Sequence, residues 1–314
     1  ASLGCDALNL SLAFYPLPSG LDVQVMRESI DRAVQFSHDA GCLTVVAAGN
    51  ADANLDNDGP TLSLPLEAAG TVRVSATGPS GFEPESPVSD VALPTHTPSF
   101  YTNYGADALT VSAAGGNITA PFPNNYADLV YSTVPGGYSW KGGTSMAAPQ
   151  VTGLAALVKS ENPNADPERI KYHIARTANH VRSPDYDAAE YFRPNAEVDG
   201  WGLANGILED AYDSETYRGD GHVDVEQAAT EPIPFPQPLE VDGHTIAPRD
   251  PDGDGRFEDV NGDGEVDMAD VNALFALFMS GASLSDAEVD ALDFDGDGSF
   301  DQFDVQALLD ELRA

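Results

Sequence analysis

The chain has 314 residues, 42% of them apolar, and sets 14 Lys and Arg against 51 Asp and Glu for a formal charge of −37. That sign repels phosphate backbones and anionic lipid surfaces and so excludes nucleic acid as a partner, while the apolar share and the patterned strands exclude a disordered polyanion. No apolar run reaches the roughly 20 residues that span a bilayer; the acid excess, which in residues 250–314 is 19 acidic against 2 basic side chains, predicts a globular protein adapted to high salt, where screening shortens self-repulsion to a few ångströms.

The first apolar run, Ala7–Leu12, predicts a strand. Leu21–Ala40 then sets Val25, Ile30, Ala33, Val34 and Phe36 at near-helical spacing, with Gly41 behind it as a C-cap. A second strand, Leu43–Val46, runs out into Ala47-Ala48-Gly49-Asn50. Strand, crossover helix and parallel strand predict an α/β domain with a mainly parallel sheet and flanking helices. Its ligand site belongs beyond the carboxyl ends of the strands. There Asn50 is by default a turn residue that tolerates the left-handed region. The carboxylates of Ala51–Gly59 alternate without a regular twelve-residue spacing, which predicts a solvated acidic loop rather than a calcium site.

Gly143-Thr144-Ser145-Met146-Ala147-Ala148-Pro149 is approached through Val134-Pro135-Gly136-Gly137 and followed by the small-residue run Val151–Leu157. The pattern puts a serine at a loop-to-helix junction, with Pro149 expected in the first helical turn. By itself Ser145 allows two readings. It is a helix N-cap, or it is a nucleophile that uses the free N–H groups and positive dipole end of the helix and needs a base and oxyanion donors beside it.

Further blocks come in order: Ala7–Leu12, Leu43–Asn50, Tyr101-Thr102-Asn103-Tyr104-Gly105, the serine heptad, Asn162-Pro163 with Arg169-Ile170 and Thr177-Ala178, and Trp201-Gly202-Leu203-Ala204-Asn205. Together they resemble the subtilisin-like serine proteases, the subtilases. The resemblance implies that Ser145 is the nucleophile and that the Asn50 carboxamide joins the Ser145 N–H in holding the oxyanion. It also implies that Ser11-Leu12-Ala13 and Ala47-Ala48-Gly49 flank an extended peptide substrate, one as an added strand and the other as a pocket wall. Ala13 stands where the family usually has glycine, and its methyl is expected to narrow that pocket.

In this family the triad runs Asp, His, Ser along the chain. None of His38, His96, His173, His180, His222 and His244 has a His-Gly-Thr context, and His38-Asp39-Ala40-Gly41 reads as a helix end. The aspartate and histidine are therefore expected on a segment before residue 1, and the 314 residues alone are expected to hydrolyse nothing efficiently. If the two strands are neighbours, as the resemblance implies, Cys5 and Cys42 adjoin, and both a disulfide and a pair of buried thiols remain open.

The expected organisation is a partial peptidase domain over 1–212, a linker over 213–249 whose stretch Thr230–Pro238 predicts a semi-rigid spacer, and a small all-α module over 250–314. In that module Asp259, Asn261, Asp263, Glu265, Asp267 and Asp270 occupy positions 1, 3, 5, 7, 9 and 12 of a calcium loop. Asp293, Asp295, Asp297, Ser299, Asp301 and Asp304 repeat the pattern 34 residues later, with Gly264 and Gly298 at the turn. Val271, Leu274, Phe275 and Phe278 follow the first loop, and Val305, Leu308, Leu309 and Leu312 the second, each as an apolar helix face. Asp250-x-Asp252-x-Asp254-Gly255 begins a third, partial loop.

Paired loop-then-helix units of this kind resemble dockerin domains, which implies bound Ca2+ and a cohesin-like protein partner, with Met268-Ala269 and Gln302-Phe303 at the partner-choosing positions. The whole implies a secreted, extracellular serine endopeptidase acting on peptide or protein substrates and anchored by its calcium module. The alternative is a non-catalytic scaffold in which a degenerate protease half carries a binding module.

Overall fold

A computed structural model describes residues 4–18, 20–56, 61–78, 97–106, 108–117, 128–178, 219, 221–235, 238–250 and 256–313. Four parallel strands form its centre: β1 (Ala7–Leu10), β3 (Leu43–Ala47), β5 (Thr71–Gly78) and β7 (Val111–Ala114), paired in that order, with β6 (Thr97–Pro98) antiparallel at the end of β5. Every side chain of β3 is buried, as a strand covered on both faces requires. Its alternation sorts those side chains: Leu43, Val45 and Ala47 join one core with Val72, Val74 and Val111, while Val46 and Ala48 point to a second with Leu66 and Leu109. Beside the sheet, β2 (Phe14–Pro18) pairs antiparallel with β4 (Thr61–Leu64), and β8 (Val130–Val134) with β9 (Gly137–Lys141). Pro135-Gly136, with Gly136 at φ +86, supplies the tight turn of the second hairpin.

The crossover helix α1 (Leu21–Asp39) forms where expected, and Gly41, at φ +78, closes it by donating to the His38 carbonyl at 2.8 Å. Its inward face differs from the expected one. Val25, Ala33 and Phe36 are exposed, and the covered stripe is Val23, Met26, Ile30, Val34 and Ser37, which keeps the three-and-four spacing that the predicted set broke. Helix α2 (Thr144–Glu161) lies against β1, β3, β5 and β7, burying Ala147, Ala148, Val151, Leu154, Ala155 and Val158 in the main core. Helix α3 (Pro167–Arg176), N-capped by Asp166, adds Ile170 and Ile174.

The described part of the stretch expected to be a spacer is packed. Helix α4 (Val225–Thr230) buries Ala228 in the main core, Ile233 follows it there, and Phe235 is fully buried in the core of the C-terminal module. Proline-rich composition conceals these apolar residues, each of which has a core to enter. The hairpin β10 (Leu239–Val241) and β11 (His244–Ile246) then packs on α5 (Met268–Ser280). Helices α5, α6 (Asp286–Ala291) and α7 (Gln302–Glu311) complete the module around Leu274, Leu277, Leu292 and Leu308. Phe275, expected inside, is exposed, and Ala273 and Leu277 take the inward positions.

The register Ala7↔Leu43 brings the starts of β1 and β3 together, and the sulfurs of Cys5 and Cys42 lie 2.7 Å apart. Among the described residues, no helix is long and apolar enough to cross a membrane. The segment Trp201–Asn205 and most of the third partial loop lie outside the described residues.

Candidate active site

Helix α2 opens at Gly143, which has φ +149 and caps without a side-chain bond. The N-cap reading of Ser145 therefore does not hold: the serine is the second helical residue. Its amide is among the first four of the helix, which have no carbonyl a turn earlier to receive them. The first turn carries no acidic side chain, so the positive helix end is unscreened by its own residues. Pro149 sits in the second turn rather than the first. Lacking an N–H, it frees the Ser145 carbonyl from the helical ladder, and the Ser11 hydroxyl donates to that carbonyl at 2.9 Å. In return Ser145 Oγ donates to the Ser11 carbonyl at 3.3 Å. The end of β1 and the start of α2 are thus tied at the serine, with the Thr152 hydroxyl donating to Asn9 Oδ1 at 3.2 Å two turns on.

Asn50 arrives from the end of β3. Its Oδ1 accepts the Thr144 N–H at 2.9 Å and the Thr144 hydroxyl at 3.0 Å, while the same Thr144 oxygen accepts the Gly49 N–H at 3.1 Å. With the carboxamide oxygen committed, Nδ2 is the free-facing end. A Cβ placed on Gly143 would sit 3.5 Å from Asn50 Nδ2 and 3.7 Å from the Ser145 N. Asn50 Oδ1 lies 3.8 Å from the same position, so the carboxamide, nitrogen nearest, and the Ser145 N–H border one point beside the serine that glycine at 143 leaves unfilled.

The expected substrate segments also adjoin. A Cβ on Gly49 would meet the Ala13 methyl at 3.5 Å, and Leu12 beside it is exposed. Ala47 and Ala48 bury their side chains in the two cores, so they face the site only through backbone. Asn103, in the Tyr101–Gly105 block, has a role that its sequence context does not signal. Fully buried, it donates from Nδ2 to the Ala48 carbonyl at 2.9 Å, and its Oδ1 accepts the N–H groups of Ala51 and Ala53 at 2.9 and 3.2 Å. It clamps the turn that aims Asn50. Gly49, at φ +102, leaves room for it: a Cβ there would be 2.5 Å from Asn103 Nδ2. In the acidic loop, Asp56 accepts the Ala108 N–H at 3.0 Å, and burial raises the Asp52 carboxyl above its usual range.

Three of the four described histidines are engaged elsewhere, and the fourth, His244, lies in β11, the hairpin strand that packs on α5 of the C-terminal module. His38 pairs with Glu168 at 3.0 Å, His173 Nε2 donates to the Ala228 carbonyl at 2.9 Å, and His222 Nδ1 lies 3.2 Å from Ser112 Oγ. His96 and His180 lie outside the described residues.

In the C-terminal module the two loops have the same geometry. Gly262 and Gly264, like Gly296 and Gly298, take φ between +75 and +91, curling the backbone inward. Asp259 accepts the Asp263 and Gly264 amides, and Asp293 the Gly296, Asp297 and Gly298 amides. Asp267 with Asp270, and Asp301 with Asp304, form capping boxes that start α5 and α7. Carboxylate oxygens of Asp293, Asp295 and Asp297 lie within 4.8 Å of one another. Burial pushes the carboxyls of Asp259, Asp270 and Asp304 above their usual range. Asn261 and Glu265 complete the first loop and Ser299 the second, so each offers only hard oxygen donors, the set that suits Ca2+.

Comparison with known proteins agrees with this architecture. Residues 2–226 match the subtilase family, and residues 257–313 the dockerin type I domain. The chain is 32% identical over 181 residues to subtilisin BL of Lederbergia lenta, covering 57% of this chain and 51% of that protein. It is 32% identical over 176 residues to the M-protease of Shouchella clausii, covering 56% and 35%. It thus spans about half the length of these relatives or less. Among solved structures, the epidermin leader peptide processing serine protease of Staphylococcus aureus superposes with a TM-score of 0.52 at 17% identity, over 73% of this chain and 51% of that one. A lanthipeptide protease gives 0.51 at 23% identity, over 73% and 62%. These two likenesses speak for the fold, and the family match speaks for descent: the chain belongs to the subtilase family and carries a dockerin type I domain.

Proposed function

We propose that Ser145 is the nucleophile of a serine endopeptidase and that this chain contributes its half of the catalytic site. In the reaction Ser145 Oγ attacks a peptide carbonyl carbon while a histidine supplied by a preceding segment takes the hydroxyl proton. The oxyanion is held by Asn50 Nδ2 and the Ser145 N–H. The C–N bond then breaks, the histidine returns the proton to the leaving amine, and water hydrolyses the acyl-enzyme by the same route. Ser11-Leu12-Ala13 pairs with the extended substrate, the backbone of Ala47-Ala48-Gly49 walls the pocket, and the Ala13 methyl opposite Gly49 favours small side chains there. The observation that carries this reading is the pair of donors, Asn50 Nδ2 and Ser145 N, that border one point kept open by Gly143. The test is hydrolysis of a chromogenic peptide by the longer protein that carries the expected aspartate and histidine, against its Ser145→Ala variant and against residues 1–314 alone. Activity in the first only supports the proposal.

The paired loops are proposed to hold two Ca2+ ions through Asp259, Asn261, Asp263, the Glu265 carbonyl, Asp267 and Asp270, and through Asp293, Asp295, Asp297, the Ser299 carbonyl, Asp301 and Asp304. Bound calcium supplies charge neutralisation there and fixes the loops. The calcium module is proposed to anchor a secreted, extracellular enzyme to a cohesin-like partner. Its exposed Met268 and Phe303 are suited to that contact. The acidic surface is proposed as an adaptation to high salt; an unchanged circular dichroism spectrum after dialysis into low salt would remove that part. One observation favours the non-catalytic alternative: among the described residues the Ser145 hydroxyl is bonded to the Ser11 carbonyl and not to a base. The same hydrolysis assay separates the two.

A further inference from the structure

The calcium module is seated on α3 rather than strung behind it. One face of α3 buries Ile170 and Ile174 in the sheet core. Along the rest of the helix, successive turns hold the returning chain. The Tyr172 ring stands edge-on to Phe257, with centroids 4.5 Å apart and planes at 89°, and Phe257 is a buried member of the module's core. Arg169 donates to the Pro248 carbonyl at 3.3 Å, His173 to the Ala228 carbonyl at 2.9 Å and Arg176 to the Pro232 carbonyl at 3.1 Å. Arg176 also pairs with Glu231 at 3.2 Å.

These contacts run directly into the first calcium loop. Ala247 donates to the Val260 carbonyl at 3.0 Å and Arg249 to the Asp259 carbonyl at 2.9 Å, flanking the Pro248 that Arg169 holds. Gly262 lies so close to Ala247 that a Cβ on it would be 2.5 Å from the Ala247 carbonyl oxygen. Phe257, which packs on Tyr172, is two residues before Asp259. The first ligand of the loop is therefore two residues in one direction, and one backbone hydrogen bond in another, from groups that α3 grips. Helix α3 in turn packs against α2, whose first turn bears Ser145.

We propose that calcium binding in the Asp259–Asp270 loop controls the stability of the subtilase part through this seat, with α3 as the receiving element. The inference rests on the reading that this loop binds Ca2+. A ligand that binds only the ordered loop stabilises whatever orders together with it. A module on a free tether would keep that gain to itself. Here the Tyr172–Phe257 ring contact and the Pro248 carbonyl held by Arg169 tie the loop to the helix, and the Ala228 and Pro232 carbonyls held by His173 and Arg176 fix the strap that leads to it, so that loop and helix order as one cooperative unit.

The test is hydrogen–deuterium exchange on the whole chain with calcium chloride or chelator, in the wild type, Tyr172→Ala and Tyr172→Phe. In the wild type calcium is expected to slow exchange of the α3 amides about tenfold, along with those of residues 261–265. In Tyr172→Ala the loop amides should still gain protection while the α3 response falls below about twofold; Tyr172→Phe, which keeps the ring, should respond like the wild type. Loop protection with no α3 response in the wild type overturns the seat as a coupling device and leaves the calcium reading standing. A full α3 response in Tyr172→Ala overturns it too, because the signal then travels by another route. No protection anywhere overturns the calcium reading and this inference with it.

Discussion

The carbonyl of Ser145, released from the helix by Pro149, is taken by the Ser11 hydroxyl at 2.9 Å, and Ser145 Oγ donates back to the Ser11 carbonyl at 3.3 Å. This reciprocal pair joins the end of β1 to the start of α2 at the residue proposed as nucleophile. It makes the proline part of the site: without an N–H at residue 149, the carbonyl needs a partner from outside the helix.

Ser11→Ala removes that partner. Loss of the hydrogen bond is expected to cost about 1 kcal/mol, a fall in Tm of about 2–4 °C by calorimetry for a domain of this size. In a Pro149→Ala background the amide of residue 149 can take the Ser145 carbonyl, so the same change should cost much less. Equal costs in both backgrounds would show that Ser11 acts by some other means.

Thr144 holds Asn50 by the carboxamide oxygen, and the nitrogen is the atom proposed to meet the oxyanion. In a longer protein that carries the expected aspartate and histidine and hydrolyses peptides as proposed, Asn50→Ala is expected to lower kcat by about 10²–10³, a magnitude established for such a donor in this family. Thr144→Val, which removes only the hydroxyl, should lower kcat about tenfold with little change in KM, because a mis-aimed donor weakens the transition state more than the bound substrate. Thr144→Ser should restore it. A change in KM alone would place Asn50 in substrate binding instead.

The His38–Glu168 pair joins α1 to α3 across partly buried surface. The Glu168 carboxylate, bonded to His38, raises the imidazole above its usual value, with burial opposing. A raised histidine contributes stability that is fully present below its unfolded value of about 6.5 and is lost as pH rises through the folded value. His38→Ala is therefore expected to lower Tm by up to about 2–4 °C near pH 5.5, the size of an ion pair worth at most about 1 kcal/mol, and by little at pH 9. The same loss at both pH values would assign His38 to packing alone.

Asp304 is fully buried, and its carboxylate accepts the Phe294 and Asp301 amides at 2.8 and 2.7 Å. Asp304→Asn keeps the shape but halves the acceptor capacity and removes the charge at loop position 12. Calorimetric titration of the whole chain is expected to show the second loop weakened by at least about tenfold and the first unchanged. Two equal sites in the variant would exclude Asp304 from the ligand set.

Much of this was legible in the sequence because a strand or a calcium loop leaves a dense local pattern. Leu43–Asn50 and the two twelve-residue loops each carry their period and their glycines in one short stretch. The contributions of Asn103, Thr144 and Pro149 were not legible. Asn103 and Thr144 act on groups brought near by the fold, Asn103 on a turn about fifty residues away and Thr144 on Asn50 94 residues away, and Pro149, which acts within its own helix, matters because the carbonyl it frees meets Ser11 134 residues away; no local period records such pairings. The same holds for the packed strap: Ile233 and Phe235 sit among prolines that argue for a spacer, and only the existence of two cores to receive them decides otherwise. On α1 the helix was legible and its face was not, since Val25 and Phe36 are as apolar as the residues that are covered.

The most direct measurement is mass-spectrometric localisation of a fluorophosphonate adduct on the longer protein that carries the expected aspartate and histidine. One adduct is expected, on the peptide containing Ser145, absent from Ser145→Ala and sharply reduced in Asn50→Ala. An active, labelled protein whose adduct lies on any other residue, or a folded protein with both partners present that takes no label, would contradict it.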